Sequence, residues 1–282
     1  YVERVLLDAG LAIEGKHGIY DRFRGRLMFP LLDGSGRVVG FSGRILPSFA
    51  EASRGEEAKY MNSPETEVYH KSRILYGFSN ARVAIKKNNR VVMVEGQMDT
   101  ISSFGAGITE TVGVGGTALT VEMVEMIGRI TNNIVLALDN DFAGEAAMKR
   151  SIDLAEKRGL SIKMVEMEGG KDPDEISRNF PNKWKEMVES AVPVYEFFFN
   201  RLIGRYGTES VEGISMVVKE IVPMLASIEN SVIREVWVRK LAEKIGVDKQ
   251  RIEEEMGKSK LKIDNGQLRI SKEAGTNIFP DR

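Results

Sequence analysis

Two short apolar runs in this 282-residue chain end in carboxylates. The first reads Val91-Val92-Met93-Val94-Glu95-Gly96, with Asp99 close behind. The second reads Ile134-Val135-Leu136-Ala137-Leu138-Asp139-Asn140-Asp141. Continuous apolar runs of strand length are the pattern of parallel strands covered on both faces. Acids at the carboxyl ends of such strands sit where open α/β sheets place their ligands. Several acids converging there raise one another's pKa. A divalent cation relieves that repulsion, and oxygen-only ligands favour Mg²⁺ or Mn²⁺. A lone acid after a buried strand also serves as a helix N-cap, so either motif by itself is open to both readings. Their recurrence on successive βα units favours metal chemistry. Asp172-Pro173-Asp174-Glu175 reads alone as a helix start, with Pro in the first position and acids in the first turn. Beside the other two motifs it points the same way.

The elements that must position these acids follow from periodicity. Residues 89–167 predict strand 91–94, helix 98–106, strand 109–113, helix 120–130, strand 134–139, helix 142–158 and strand 162–167, an alternation that implies a parallel sheet. Upstream, strands 26–31 and 37–45 flank the hairpin signal Asp33-Gly34-Ser35-Gly36. Residues 2–13 predict the end of a helix and 47–58 an irregular loop. After Pro181 the chain turns helical at 184–190, 194–206, 213–227, 231–244 and 249–256. Residues 258–282 are polar and aperiodic, and read as a linker.

Composition is that of an ordinary globular protein, 42% hydrophobic and 29% charged. No apolar run of 18 residues and no signal peptide stand out, so no membrane partner is expected. The absence of Cys excludes disulfides and cysteine-ligated zinc within these residues. Tyr1 in place of Met predicts an excised or processed piece. Net charge is −1, yet residues 1–90 hold 15 Lys and Arg against 10 Asp and Glu. A basic first third beside an acidic second third suits a groove that holds phosphates and bridging metals; scattered solvated cations are the plainer account. Arg22, Arg24, Arg26 and Arg37 cluster with glycines and strands. Strand alternation would put Arg22, Arg24 and Arg26 on one face and Phe23 and Leu27 on the other, a track for nucleic-acid backbone. Lys59, Tyr60 and Lys71 lie in loop contexts with Asn62 and Ser63, suited to a nucleotide contact or to an ordinary exposed loop. His17 and His70 are the two histidines, so a histidine-centred triad is not expected, and His70 reads as a surface residue or a support to the site and not as a base. Phe197, Phe198, Phe199, Trp184 and Trp237 read as helical packing.

Taken together, Glu-Gly-x-Met-Asp after a strand, Asp-x-Asp with Ala143-Gly144, and Asp-Pro-Asp resemble the Toprim domain of bacterial replicative primases, the DnaG type. The resemblance extends upstream through Arg22–Pro30, Gly40-Phe41-Ser42-Gly43-Arg44, Lys59–Thr66, His70-Lys71 with Leu75-Tyr76-Gly77, and on to Gly116–Thr120. These motifs cover residues 20–200 in the family's order. Gln97 stands where the family has Tyr, and Asn140 where it has Gly; neither removes a carboxylate.

The resemblance implies an α/β fold, α+β overall. A basic N-terminal subdomain of the polymerase core (1–88), truncated at its start, would precede a Toprim domain (89–178), a helical subdomain (179–257) and a linker or tail (258–282). It implies RNA primer synthesis on single-stranded DNA from ribonucleoside triphosphates, with two or more Mg²⁺ or Mn²⁺ ions. Glu95, Asp99, Asp139, Asp141, Asp172 and Asp174 would bind metal, with Glu95, Asp139 and Asp141 at the chemistry and Glu95 open as ligand or general base. Arg44, Lys59, Tyr60, Asn62 and Lys71 would hold the nucleotide, and Arg22, Arg24 and Arg26 the template. A cytoplasmic monomer is expected, its zinc module outside this fragment and its replicative helicase bound through a missing C-terminal domain. The rivals are a Toprim nuclease or topoisomerase-like enzyme, and a non-catalytic nucleotide- or template-binding module.

Overall fold

The structure, a computed structural model, describes residues 2–52, 58–116, 118–138, 144–167 and 172–264. Helix α1 (Glu3–Asp8) leads into a hairpin of β1 (Ala12–Gly15) and β2 (Gly18–Asp21), where the sequence reading continued the helix to residue 13. Gly15 and Gly18 flank the two-residue turn Lys16-His17, which is hairpin chemistry. Strands β3 (Arg26–Leu32) and β4 (Val38–Ile45) pair antiparallel across the predicted turn. Asp33 fixes that turn by accepting the Ser35 and Arg37 amides at 2.8 and 3.0 Å, and Oδ2 takes the Arg37 Nε at 2.8 Å. Part of the expected loop is helix α2 (Pro47–Ala52), for which Pro at the first position is pre-organised. Strand β5 (Tyr60–Asn62) then adds to the free edge of β4.

Helix α3 (Phe78–Asn88) opens the alternating region. It continues as β6 (Val91–Val94), α4 (Gln97–Gly105), β7 (Thr111–Gly113), α5 (Val121–Gly128), β8 (Asn133–Leu136), α6 (Gly144–Lys157), β9 (Ser161–Met164), α7 (Pro173–Asn179), α8 (Pro181–Glu189) and β10 (Val192–Pro193). The sheet order is β10-β9-β8-β6-β7, with β6 to β9 mutually parallel and β10 antiparallel on the edge. The apolar run of β6 is buried throughout, and its side chains alternate between two cores as a strand's must. Val91 and Met93 join the cluster with Ile85, Met123 and Ile152, whereas Val92 and Val94 pack with Ile176, Trp184 and Val188. From β6 the chain passes to β7 on one side and later to β8 on the other. This reversal opens a crevice beyond their carboxyl ends, where doubly wound sheets bind ligands.

Four helices follow among the described residues, α9 (Val194–Tyr206), α10 (Val211–Ser227), α11 (Ser231–Ile245) and α12 (Lys249–Asp264). Phe198, Phe199 and Trp184 are buried as expected. One continuous apolar cluster runs from Leu75 to Met256, so the helical part and the parallel sheet share a core. Helix α12 extends past residue 257, where the sequence reading began the linker. Ile252 and Met256 anchor one face of it, and Arg251–Glu254 and Glu255–Lys258 pairs support its polar face. Residues 265–282 lie outside the described residues.

In this shared core the Tyr195 hydroxyl donates to Glu156 Oε2 at 2.8 Å. Burial, then the neighbouring Asp153, pushes the Glu156 carboxyl above its usual range, with the Tyr195 bond opposing. A carboxyl raised on folding favours the folded state below its unfolded pKa, and that advantage is lost as pH rises through the folded pKa. Glu156→Gln is therefore expected to melt like the unsubstituted chain at acidic pH and higher at neutral pH. Thermal melts across that range test it; a variant that gains nothing at neutral pH refutes the assignment.

Candidate active site

The turn after β6 carries Glu95 and Gly96, and its position is set by the neighbouring strand. Gly115 N–H donates to the Glu95 carbonyl at 2.9 Å. A Cβ on Gly113 would stand 2.8 Å from Thr100 Oγ1 and 2.9 Å from the Gly96 carbonyl, so glycine is what lets β7 lie against this turn. Glu95 is half-buried. Asp99 closes the turn at the start of α4, its Oδ2 accepting the Gly96 amide at 2.9 Å. Its Oδ1 reaches α7, accepting the Asp174 amide at 3.2 Å.

Asp172 caps α7, accepting the Glu175 amide at 2.7 Å. The Asp174 carboxylate accepts the Ser102 hydroxyl on Oδ1, and Arg178 Nη2 on Oδ2 at 2.7 Å. Asp99, Asp172 and Asp174 thus form one acidic cluster at the sheet's carboxyl edge. The Asp99 carboxyl is held above its usual range by burial first and by the charges of Asp172 and Asp174, against the Gly96 and Asp174 amides. Asp139 and Asp141, the other expected ligands, lie outside the described residues. Among the described residues no group of three or more His, Asp or Glu side chains is arranged to hold a metal. The chemistry of the cluster still fits a hard cation: its donors are all carboxylate oxygens, and their mutual repulsion is what such an ion relieves.

The N-terminal sheet faces this cluster. Arg44 and Tyr60 pair across β4 and β5, with the guanidinium 5.9 Å from the ring centre. The Tyr60 phenol is pushed up chiefly by burial; Arg44 opposes this, and Asp99 and Asp174 add to it. The cationic ledge and the acids therefore act on the same side chain. Asn62 and Lys71 line a cleft together with Tyr69, Tyr76, Gln97 and Gly115. Reciprocal Tyr76 and Gly113 backbone bonds of 2.8 and 2.9 Å close the cleft floor by joining the two subdomains. Lys59 is exposed, its carbonyl accepting the Ile45 amide at 3.0 Å. His70 pairs with Glu65 on the surface at 3.2 Å.

The three arginines expected to hold the template do not share a strand face. Residues 22–25 form a turn, with Gly25 at φ 65°, and β3 begins only at Arg26. Arg26 is 8% exposed and donates to the Gly43 and Ala58 carbonyls at 3.2 and 2.9 Å, while Leu27 points outward. Arg22 has a buried Nε. Arg24 is exposed, stacked 4.5 Å over Tyr20.

Sequence reasoning missed Ser102 and Arg178. Their only signals are spacings, three residues after Asp99 and four after Asp174.

Three family models match in succession: DNA primase catalytic core, N-terminal domain, over residues 1–82; Toprim-like over 92–177; and DnaB-helicase binding domain of primase over 195–250. The last falls on α9 to α11, inside this chain, whereas the sequence reading placed helicase contact in a domain beyond it. A DNA primase of Clostridium acetobutylicum is 33% identical over 99% of the chain and 46% of the relative; the chain spans less than half the length of the curated relatives it matches. The crystal structure of a DNA primase domain from Pseudomonas aeruginosa aligns at TM-score 0.73 and 31% identity, covering 90% of this chain and 79% of that one. A DnaG primase catalytic domain bound to ssDNA aligns at TM-score 0.70 and 31% identity, covering 88% and 77%. The order of the matched domains and the fold agree with these likenesses, and the chain belongs to the DnaG-type DNA primase family.

Proposed function

We propose that this chain carries the nucleotidyl-transfer core of a primase, joining ribonucleotides on single-stranded DNA. The observation that carries the reading is Tyr60, which lies beside the Arg44 guanidinium and within electrostatic reach of the Asp99 and Asp174 carboxylates. A nucleoside triphosphate needs that juxtaposition, cations for its phosphates beside acids for its metals. Glu95, Asp99, Asp139, Asp141, Asp172 and Asp174 would hold two or more Mg²⁺ or Mn²⁺ ions. Such ions, when bound, supply charge stabilisation for an in-line displacement at phosphorus. Arg44, Lys59 and Lys71 bind the phosphates of the incoming nucleotide, and Tyr60 and Asn62 orient its ribose. Glu95 serves at the reacting hydroxyl as ligand or proton acceptor. Residues 195–250 offer the helicase contact that their family model names. Within the described residues no helix is long and apolar enough to cross a membrane.

The test supplies labelled ribonucleotides, Mg²⁺ or Mn²⁺ and single-stranded template to the whole chain. Label entering RNA supports the reading. Strand scission would identify a nuclease, and binding with neither outcome a non-catalytic module.

Template contact is electrostatic in this account. Arg24 is the exposed member of the arginine group, so Arg24→Ala is expected to weaken single-stranded DNA binding for all sequences alike. The slope of log affinity against log salt should flatten by about 0.7. Arg26→Ala should instead lower stability, since its guanidinium is spent on carbonyls inside the sheet. Salt titrations of both variants check this; an unchanged slope for Arg24→Ala would move the template path elsewhere.

A further inference from the structure

Ser102 reaches the acidic cluster by a contact that no sequence motif marks. It lies one turn along α4 from Asp99, so the two side chains leave the same helix face. From that face they grip one residue in two ways. Asp99 accepts the Asp174 backbone N–H at 3.2 Å, and the Ser102 hydroxyl donates to Asp174 Oδ1. Backbone and side chain of Asp174 are thereby both referred to α4. Arg178 holds the other carboxylate oxygen at 2.7 Å, but its side chain is 62% exposed against 14% for Asp174. An exposed ion pair of a long side chain fixes geometry weakly. The half-buried Ser102, on a one-carbon tether, is the donor that sets the carboxylate plane.

We infer that Ser102 is a positioning residue that orients Asp174 toward a divalent cation in this cluster, an inference that rests on the metal-assisted reading above. Each carboxylate oxygen has two lone pairs. With Ser102 on one oxygen and Arg178 on the other, one lone pair on each remains for a hard cation. Without the hydroxyl, Asp174 is free to turn onto Arg178, whose charge opposes a cation.

The test is Mn²⁺ binding to the full 282-residue chain without nucleotide or DNA, followed by the paramagnetic resonance of free Mn²⁺. Ser102→Ala is expected to bind about 10- to 100-fold more weakly, the usual effect of removing a partner of a metal ligand, with an unchanged far-ultraviolet spectrum and melting transition. Ser102→Thr keeps the hydroxyl and is expected to restore affinity. Arg178→Gln, which removes the opposing charge from the exposed side, should bind no more weakly than the unsubstituted chain. Unsubstituted affinity in Ser102→Ala overturns the inference and leaves the primase reading standing. Equal weakening in Arg178→Gln, or failure of Ser102→Thr to restore binding, overturns it too, by tracing the effect to loosened packing of α7. Absence of saturable Mn²⁺ binding in the unsubstituted chain overturns both the inference and the metal-assisted reading.

Discussion

Glu95→Gln is expected to lower ribonucleotide incorporation by about 10²- to 10⁴-fold, the range that a positioned proton acceptor contributes. Glu95 follows directly on a strand buried on both faces, and its backbone is fixed by the Gly115 amide. The exchange removes one charge at constant volume from a half-buried position, so the sheet has little reason to rearrange. In the electrostatic account proposed above, template affinity rests on cations such as Arg24 and not on this turn, so it should stay close to that of the unsubstituted chain. Primer extension and single-stranded DNA titration on the same preparation separate the two effects. Unsubstituted extension rates would mean that Glu95 neither ligates a metal nor handles a proton. Joint loss of extension and template binding would place Glu95 in the fold and not in the chemistry.

The parallel sheet was legible because strands buried on both faces leave unbroken apolar runs, and β6 spans the predicted 91–94. Helix starts were legible from their caps, as with Asp172 before Pro173. Short elements were not: β10 has two residues, too few for any period to register. The expectation of one strand face for Arg22, Arg24 and Arg26 failed for a local reason. Alternation assumes extended backbone, and the turn through Gly25 cancels it before Arg26 enters β3. At the site, the motifs single out candidate acids but not how they are held. Ser102 and Asp174 are separated by 72 positions, and nothing in the spacing of either predicts that α4 and α7 meet. The pairing of Arg44 with Tyr60 likewise depends on β5 adding to β4 in one register, which a three-residue strand does not announce.

At the opposite edge of the sheet, Arg90→Ala is expected to cost about 3–5 kcal/mol of stability, the effect of breaking a buried ion pair from one side. Arg90 stands between α3 and β6. Its Nε donates to Glu110 at 2.9 Å, and Nη1 and Nη2 donate to Glu189 at 2.9 and 2.6 Å. The Glu110 side chain is 2% exposed and that of Glu189 65%. Truncating Arg90 therefore strands a carboxylate that has no route to water, while Glu189 merely returns to solvent. Glu189→Ala should accordingly cost only about 0–1 kcal/mol, although it removes two of the three bonds. Equal losses in the two variants would show that bond number, not burial, sets the strength of this clasp. Urea unfolding of the two variants gives both values. The clasp lies at the amino ends of β6 and β7, away from the acids, so folded Arg90→Ala should bind Mn²⁺ with unsubstituted affinity. That separation follows from the parallel sheet itself: its amino edge ties α8 to the strands, and its carboxyl edge is left to carry Glu95 and the aspartates.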